Sequence, residues 1–116
     1  MTAQSLVPDE YGQVYIATAE RIRCVVDGES VCVQYDVFAD APILDEGKAN
    51  GIRFTAAGEL SWLVGDLGGI PTVELSREGH YSALGWDVLC RGEELQISNA
   101  TTGKSVTVSP RGAATG

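Results

Sequence analysis

Asp9-Glu-Tyr-Gly-Gln-Val-Tyr-Ile-Ala-Thr-Ala-Glu-Arg-Ile-Arg23 is the stretch on which the fold class turns. Tyr11, Tyr15, Thr18 and Ile22 recur at steps of four, three and four, and Val14 and Ala17 widen the stripe, which is the spacing of an amphipathic helix. Asp9 and Glu10 suit the positive end of a helix dipole, and Arg21 and Arg23 suit its negative end. Two features oppose a helix. Gly12 costs about 1 kcal/mol in a helix interior, and Val14-Tyr15-Ile16 is a β-branched and aromatic run of the kind that strands favour. The periodicity predicts a helix over 9–23, with Tyr11, Tyr15 and Ile22 as its packing stripe.

Outward from this stretch the period falls to two. Val31, Val33, Tyr35 and Val37 alternate with Cys32, Gln34, Asp36 and Phe38, which reads as one long strand. Residues 39–51, with Pro42, Gly47 and Asn50-Gly51, read as a loop. Ile52–Thr55 and Leu60–Val64 flank Ala56-Ala57-Gly58-Glu59 as a hairpin. A glycine-rich connection over 65–71 leads to a short strand at 72–76, a turn at 77–80, and strands carrying Trp86, Val88 and Cys90, then Leu95 and Ile97, then Val106 and Val108 up to Pro110. The expected class is α+β, an N-terminal helix packed on an antiparallel sheet of six or seven strands. Residues 1–8 read as a disordered or artificial lead, 9–110 as one globular domain, and 111–116 as a flexible tail.

The cysteines are Cys24, Cys32 and Cys90, an odd number that permits one disulfide. Asp27-Gly28 marks a turn between the first two. A three-residue turn over 27–29 would set Cys24 opposite Cys32, within reach of a slightly strained disulfide. Two buried thiols are the other reading.

The chain has 116 residues, of which 44% are hydrophobic, and carries 16 acidic against 8 basic side chains for a net charge of -8. One domain of this length can build a core without metals. The acidity disfavours nucleic acid or an anionic membrane as a partner for the body of the protein. No acid follows Glu94, whereas Lys104 and Arg111 do, so the C-terminal edge is the one place where a weak anion or DNA contact could form. No run of 18 apolar residues is present.

Parts for catalysis are scarce. His80 is the single histidine, so a zinc site or a Cys90–His80 nucleophile pair would have to use it, and Cys90 falls in phase with Trp86 and Val88, in apolar alternation. Asp36, Asp40, Asp45 and Glu46 could offer oxygen ligands to calcium but match no EF-hand spacing, and read as a solvated loop. Gly65–Gly69 could present amides to an anion but no helix follows it. Trp62 and Trp86 fall on apolar alternation and read as core, whereas a half-exposed tryptophan would mark an interface. Asn99-Ala100-Thr101 fits an N-glycosylation acceptor and equally an ordinary polar turn. The residues themselves imply no catalytic site, no cofactor and no metal.

Gly51-Ile-Arg-Phe-Thr-Ala-Ala-Gly58, the segment with Leu89-Cys90, and the closing Lys104-Ser-Val-Thr-Val-Ser-Pro-Arg-Gly112 together resemble the soluble part of the GspH/FimT family of minor pilins. The resemblance covers about residues 9–116 in loose motifs. It implies a minor pilin or pseudopilin, a non-catalytic subunit of a type IV pilus or a type II secretion pseudopilus, whose partners are other pilin subunits. It further implies an inner-membrane anchor absent from this chain, a periplasmic or extracellular head, and 9–23 as the distal half of the family's helix. A periplasmic head would suit a Cys24–Cys32 disulfide. Some members bind DNA through a Gly-Arg-x-Arg tail. Here Gly112-Ala113-Ala114-Thr115 occupies that place without either arginine, which puts a role in DNA uptake in doubt. The alternative from another class is a small soluble β-rich domain that binds a ligand or partner through its loops, and the third is a hydrolase using His80 and Cys90.

Overall fold

The computed structural model describes residues 4–18, 21–35, 38–45, 47–65, 72–75 and 78–115. Every regular element among them is a strand, so the fold is all-β and not the expected α+β. The first strand, β1 (Gln4–Ser5), lies within the segment read as a disordered lead. The correction centres on residues 9–23. Asp9 Oδ1 accepts the backbone N–H groups of Tyr11 (2.9 Å) and Gln13 (3.0 Å), and Gly12 turns with φ +75°. Those bonds hold a tight turn where the first helical turn was expected. β2 (Val14–Ala17) follows, burying Val14 and Ile16, with Thr18 buried next in the same alternation. Thr18 then closes a reversal: its N–H donates to the Ile22 carbonyl (3.0 Å), and its carbonyl accepts Arg21 N–H (3.0 Å). Arg21 sits at φ 67°, an uncommon conformation for a side-chain-bearing residue.

The helical stripe is thereby dismantled. Tyr11 is 79% exposed on the first turn, Tyr15 is half-buried on the outer side of β2, and Ile22 is buried just ahead of β3 (Arg23–Val26). A period-two set of β-branched residues competed with the 3.6-residue set, and it won because it buries Ile16 completely where the helical set included an exposed tyrosine.

Asp27 sets the register of the next hairpin. Its Oδ1 accepts the N–H groups of Glu29 (2.7 Å) and Ser30 (2.8 Å), and its own N–H donates to the Ser30 carbonyl (3.0 Å). The connection to β4 (Ser30–Gln34) is therefore two residues, Gly28 and Glu29, rather than three. One residue fewer in the turn slides the pairing by one, so Cys24 faces Val33, and Cys32 faces Val25. The expected Cys24–Cys32 opposition is absent, and none of the three cysteines is disulfide-bonded.

The loop over 39–51 holds a small hairpin of its own, β5 (Ile43–Leu44) with β6 (Gly47–Lys48). β7 (Gly51–Thr55) and β8 (Leu60–Leu63) form the expected hairpin, with Gly58 at φ +91° in its turn. β9 (Val73–Glu74) is short, and β10 (Glu78–Ala83) begins within the residues read as a turn, 77–80. β11 (Trp86–Arg91), β12 (Glu94–Asn99) and β13 (Ser105–Ser109) follow the sequence alternation. β14 (Gly112–Thr115) then pairs along β13, in the segment expected to be a flexible tail.

Two six-stranded sheets result, ordered β8-β7-β4-β3-β2-β9 and β1-β10-β11-β12-β13-β14. All neighbouring pairs are antiparallel except β2 with β9 and β1 with β10. The buried faces merge into one core, in which Val26, Val31, Ile52 and Phe54 of the first sheet meet Trp86, Val88, Leu95 and Val106 of the second. Phe54 and Trp86 pack with ring centroids 6.1 Å apart at 64°, and Trp86 Nε1–H donates to the Asp27 carbonyl at 3.0 Å. This bond ties the second sheet to the turn that sets the register of the first. The architecture is a β-sandwich.

Candidate functional site

A recess of about 470 Å³ lies where the β13–β14 hairpin meets β8 and the loop after β4. Its construction starts at the hairpin. Ser109 pairs with Gly112, and Ser109 Oγ accepts Arg111 N–H at 3.3 Å, which holds the turn that carries the Arg111 side chain. The loop at 38–41 docks on this turn through Ala39 N–H to the Pro110 carbonyl (3.1 Å) and Asp40 N–H to the Arg111 carbonyl (2.7 Å). Asp40 and Arg111 are thereby placed in one recess from positions 71 residues apart in sequence.

Trp62 completes the wall. It is half-buried, and Phe38 meets it at 5.6 Å and 76°, so a fully buried ring fixes a partly accessible one. Gly112 keeps the space open beside it: a Cβ there would lie 3.6 Å from Asp40 Cβ and 3.8 Å from the indole edge. Small side chains on the edge strand, Ala113 and Ala114, continue this low wall. Glu94, Thr107 and Ser109 face the recess from β12 and β13. They alternate with buried Leu95, Val106 and Val108, so the pleat turns them away from the core. The result is a groove with an indole, two exposed carboxylates, one exposed guanidinium and two hydroxyls.

Of the residues singled out in the sequence, the structure brings Arg111 into this groove together with Asp40 of the acidic stretch and Trp62. Lys104 sits at the other end of β13, packed along Gly58 in a separate recess. The strand between them sets the two cations roughly 20 Å apart, so they do not act as one anion patch. Cys24 is buried, and burial raises its thiol pKa far above the ordinary value, with Cys32 adding to the effect. Cys32 is half-buried on the outer face. Burial raises its pKa too, Arg53 pulling it down and Asp27 pushing it up. Thiols held protonated in this way are poor nucleophiles.

The His80–Cys90 pair is not assembled. Cys90 belongs to the core, while His80 stands on the outer face of β10, its Nε2 3.4 Å from Asp87 Oδ1. Asp45 is exposed, and Asp36 and Glu46 lie outside the described residues. Among the described residues no three metal-ligating side chains cluster. Residues 66–69 of the glycine-rich segment also lie outside the described set. Asn99 is buried and its Oδ1 accepts the N–H groups of Thr101 and Thr102, both at 3.0 Å, which is the polar-turn reading of that tripeptide. Among the described residues no helix is long and apolar enough to cross a membrane.

Sequence reasoning assigned Trp62 to the core, left Asp40 in a solvated loop, and did not single out Glu94 or Thr107. Each comes from a different element, so no local spacing announces them. Comparison with protein-family models, curated proteins and solved structures finds no match.

Proposed function

We propose that this chain is a non-catalytic recognition domain, a rigid β-sandwich that engages its ligand or partner through the groove between β8 and the β13–β14 hairpin. The observation that carries the reading is the groove itself, in which a half-buried Trp62 stands among polar side chains delivered by four separate elements. Binding sites combine an apolar surface with a few oriented polar groups, and their volumes begin at about 300 Å³. The groove has both and exceeds that threshold.

A small-molecule fragment screen by nitrogen–proton NMR tests the reading. Hits are expected to concentrate on Trp62 Nε1–H and the amides of Gly112–Ala114. Hits that concentrate elsewhere, or none, would overturn it.

A pilus or pseudopilus subunit head is the second reading, and one observation favours it. Two of the three segments that carry the pilin resemblance meet in space: Lys104 packs along Gly58, and Thr102, just ahead of the second segment, donates its Oγ1–H to the Ala56 carbonyl at 2.6 Å. The helix expected over 9–23 no longer supports it, because the described residues of that stretch are strands and turns of the sandwich. Its test is the coding sequence upstream of residue 1, where about 20 apolar residues are expected of a pilin. An upstream stop codon would remove this reading.

A further inference from the structure

Resting on the recognition reading, we infer that the groove takes a neutral saccharide, bound by its hydroxyl groups to Asp40, Glu94 and Arg111 and by an apolar ring face to Trp62. The inference follows from the balance of chemistry in the groove. Ionised carboxylates only accept hydrogen bonds, guanidinium only donates them, and hydroxyls do both. A ligand that matches Asp40, Glu94, Arg111 and Thr107 together must therefore carry several groups that both donate and accept. Sugar hydroxyls do so.

Other ligand classes fit less well. A phosphate or sulfate would meet Arg111 but also two carboxylates in the same recess, with like-charge repulsion from each. A divalent cation would find two carboxylates and a guanidinium beside them, and among the described residues no cluster of three ligating side chains. An extended apolar peptide would leave the exposed charges facing its side chains. The one large apolar surface in the groove is an indole, which suits the C–H face of a pyranose ring without demanding charge.

The polar groups are also available. Among the described residues, no hydrogen bond or ion pair engages the side chains of Asp40, Glu94 or Arg111, and Ser109 Oγ, while accepting Arg111 N–H, keeps its own proton to donate. Side chains already locked to one another would have to break those bonds first. The framework is rigid where rigidity helps, because Phe38 is fully buried behind Trp62 and the Asp40 and Arg111 backbones are bonded together. Such preorganisation lowers the ordering cost of binding. Gly112 supplies the clearance beside the indole, and a side chain there would narrow the space a sugar ring needs.

The experiment titrates the nitrogen-labelled protein with short oligomers of glucose, mannose, galactose and N-acetylglucosamine, with inorganic phosphate as a comparison probe. At least one oligosaccharide is expected to shift Trp62 Nε1–H and the amides of Gly112–Ala114 saturably. Glu94→Gln is expected to weaken that binding several-fold and Trp62→Ala at least tenfold. Should Trp62→Ala fail to fold, the exposed Glu94→Gln variant still decides, because its fold does not rest on that side chain. Groove residues that respond to phosphate or to uncharged fragments but to no sugar would overturn the saccharide inference and leave the recognition reading standing. Groove residues that respond to no probe would overturn both. Saturable sugar binding that is insensitive to both substitutions would place the sugar elsewhere and also overturn the inference.

Discussion

Single residues carry effects out of proportion to their size in this sandwich, and Cys24 is the clearest. Its folded thiol has a pKa raised far above that of an unfolded cysteine, chiefly by burial. The sign of the linkage follows directly. Below about pH 9 the thiol is protonated in both states and its contribution to stability is complete. Above that pH the unfolded chain ionises while the folded one does not, so stability falls. The expected slope is about 1.4 kcal/mol per pH unit from this one group. Denaturant unfolding of wild type and Cys24→Ala across pH 9 to 11 measures it: the variant is less stable at neutral pH, and its stability falls less steeply in alkali. Parallel pH profiles would contradict the assignment.

Gly51 makes a second residue-scale prediction. A Cβ there would sit 2.9 Å from Leu63 Cδ1 and 3.0 Å from the Val33 carbonyl oxygen. A leucine tip can move, but a backbone oxygen inside a sheet cannot do so cheaply. Gly51→Ala is expected to destabilise by about 1 to 3 kcal/mol, the range for overpacking, read from the denaturation midpoint.

At the scale of elements, the β3–β4 hairpin shows what a turn can decide. The Asp27–Ser30 pair is hydrogen-bonded, so the antiparallel alternation makes Cys24–Val33 a non-hydrogen-bonded pair, the closer kind, with Cα atoms about 4.5 Å apart. A disulfide accepts that spacing. Val33→Cys is therefore expected to cross-link to Cys24 under mild oxidation, whereas the wild-type chain keeps Cys24 and Cys32 reduced. Mass spectrometry of trapped thiols distinguishes the two outcomes. Cross-linking of Cys24 to Cys32 in the wild type would contradict the two-residue turn.

The same hairpin explains how much was legible in the sequence. β11, β12 and β13 followed from alternation, as did β4, which ends at Gln34 and so falls short of the strand expected over 31–38, and the β7–β8 hairpin followed from Gly58 between two apolar runs; β5, β6, β14 and the start of β10 did not. The turn at Asp27-Gly28 was legible too, but not its length, because both a two-residue and a three-residue connection accept those residues. Residues 9–23 were misread for a different reason. Their apolar positions satisfy both periods, and only the tertiary structure rewards one of them by filling the space between sheets with Ile16. The groove was hidden altogether. Asp40, Trp62, Glu94 and Arg111 share no motif, and their meeting depends on where β14 turns back along β13, in a segment whose small residues suggested a tail.

For the whole molecule, the consequence of an all-β architecture is kinetic as well as structural. β1 must find β10, and β2 must find β9, across most of the chain, and closing such loops precedes any reward from the contacts. Refolding is expected on the millisecond-to-second scale of sandwiches, without the microsecond phase of a helical hairpin, as stopped-flow tryptophan fluorescence can show. Trp86, fully buried between the sheets, reports the final docking. Far-ultraviolet circular dichroism is expected to show a β spectrum without the paired minima of a helix.

The placement of β1 and β14 at opposite edges of one sheet also determines how the molecule answers to tension. Six strands separate into five gaps of about 4.8 Å, so Gln4 and Thr115 lie across the sheet from one another rather than along it. A pull applied between them runs parallel to the interstrand hydrogen bonds. It loads those bonds a few at a time, peeling the two-residue β1 and then the small-residue β14, instead of shearing a whole ladder at once. The sandwich should therefore yield at low force from its edges inward. Because β14 forms a wall of the groove, stretching the chain would open that recess well before the core gives way.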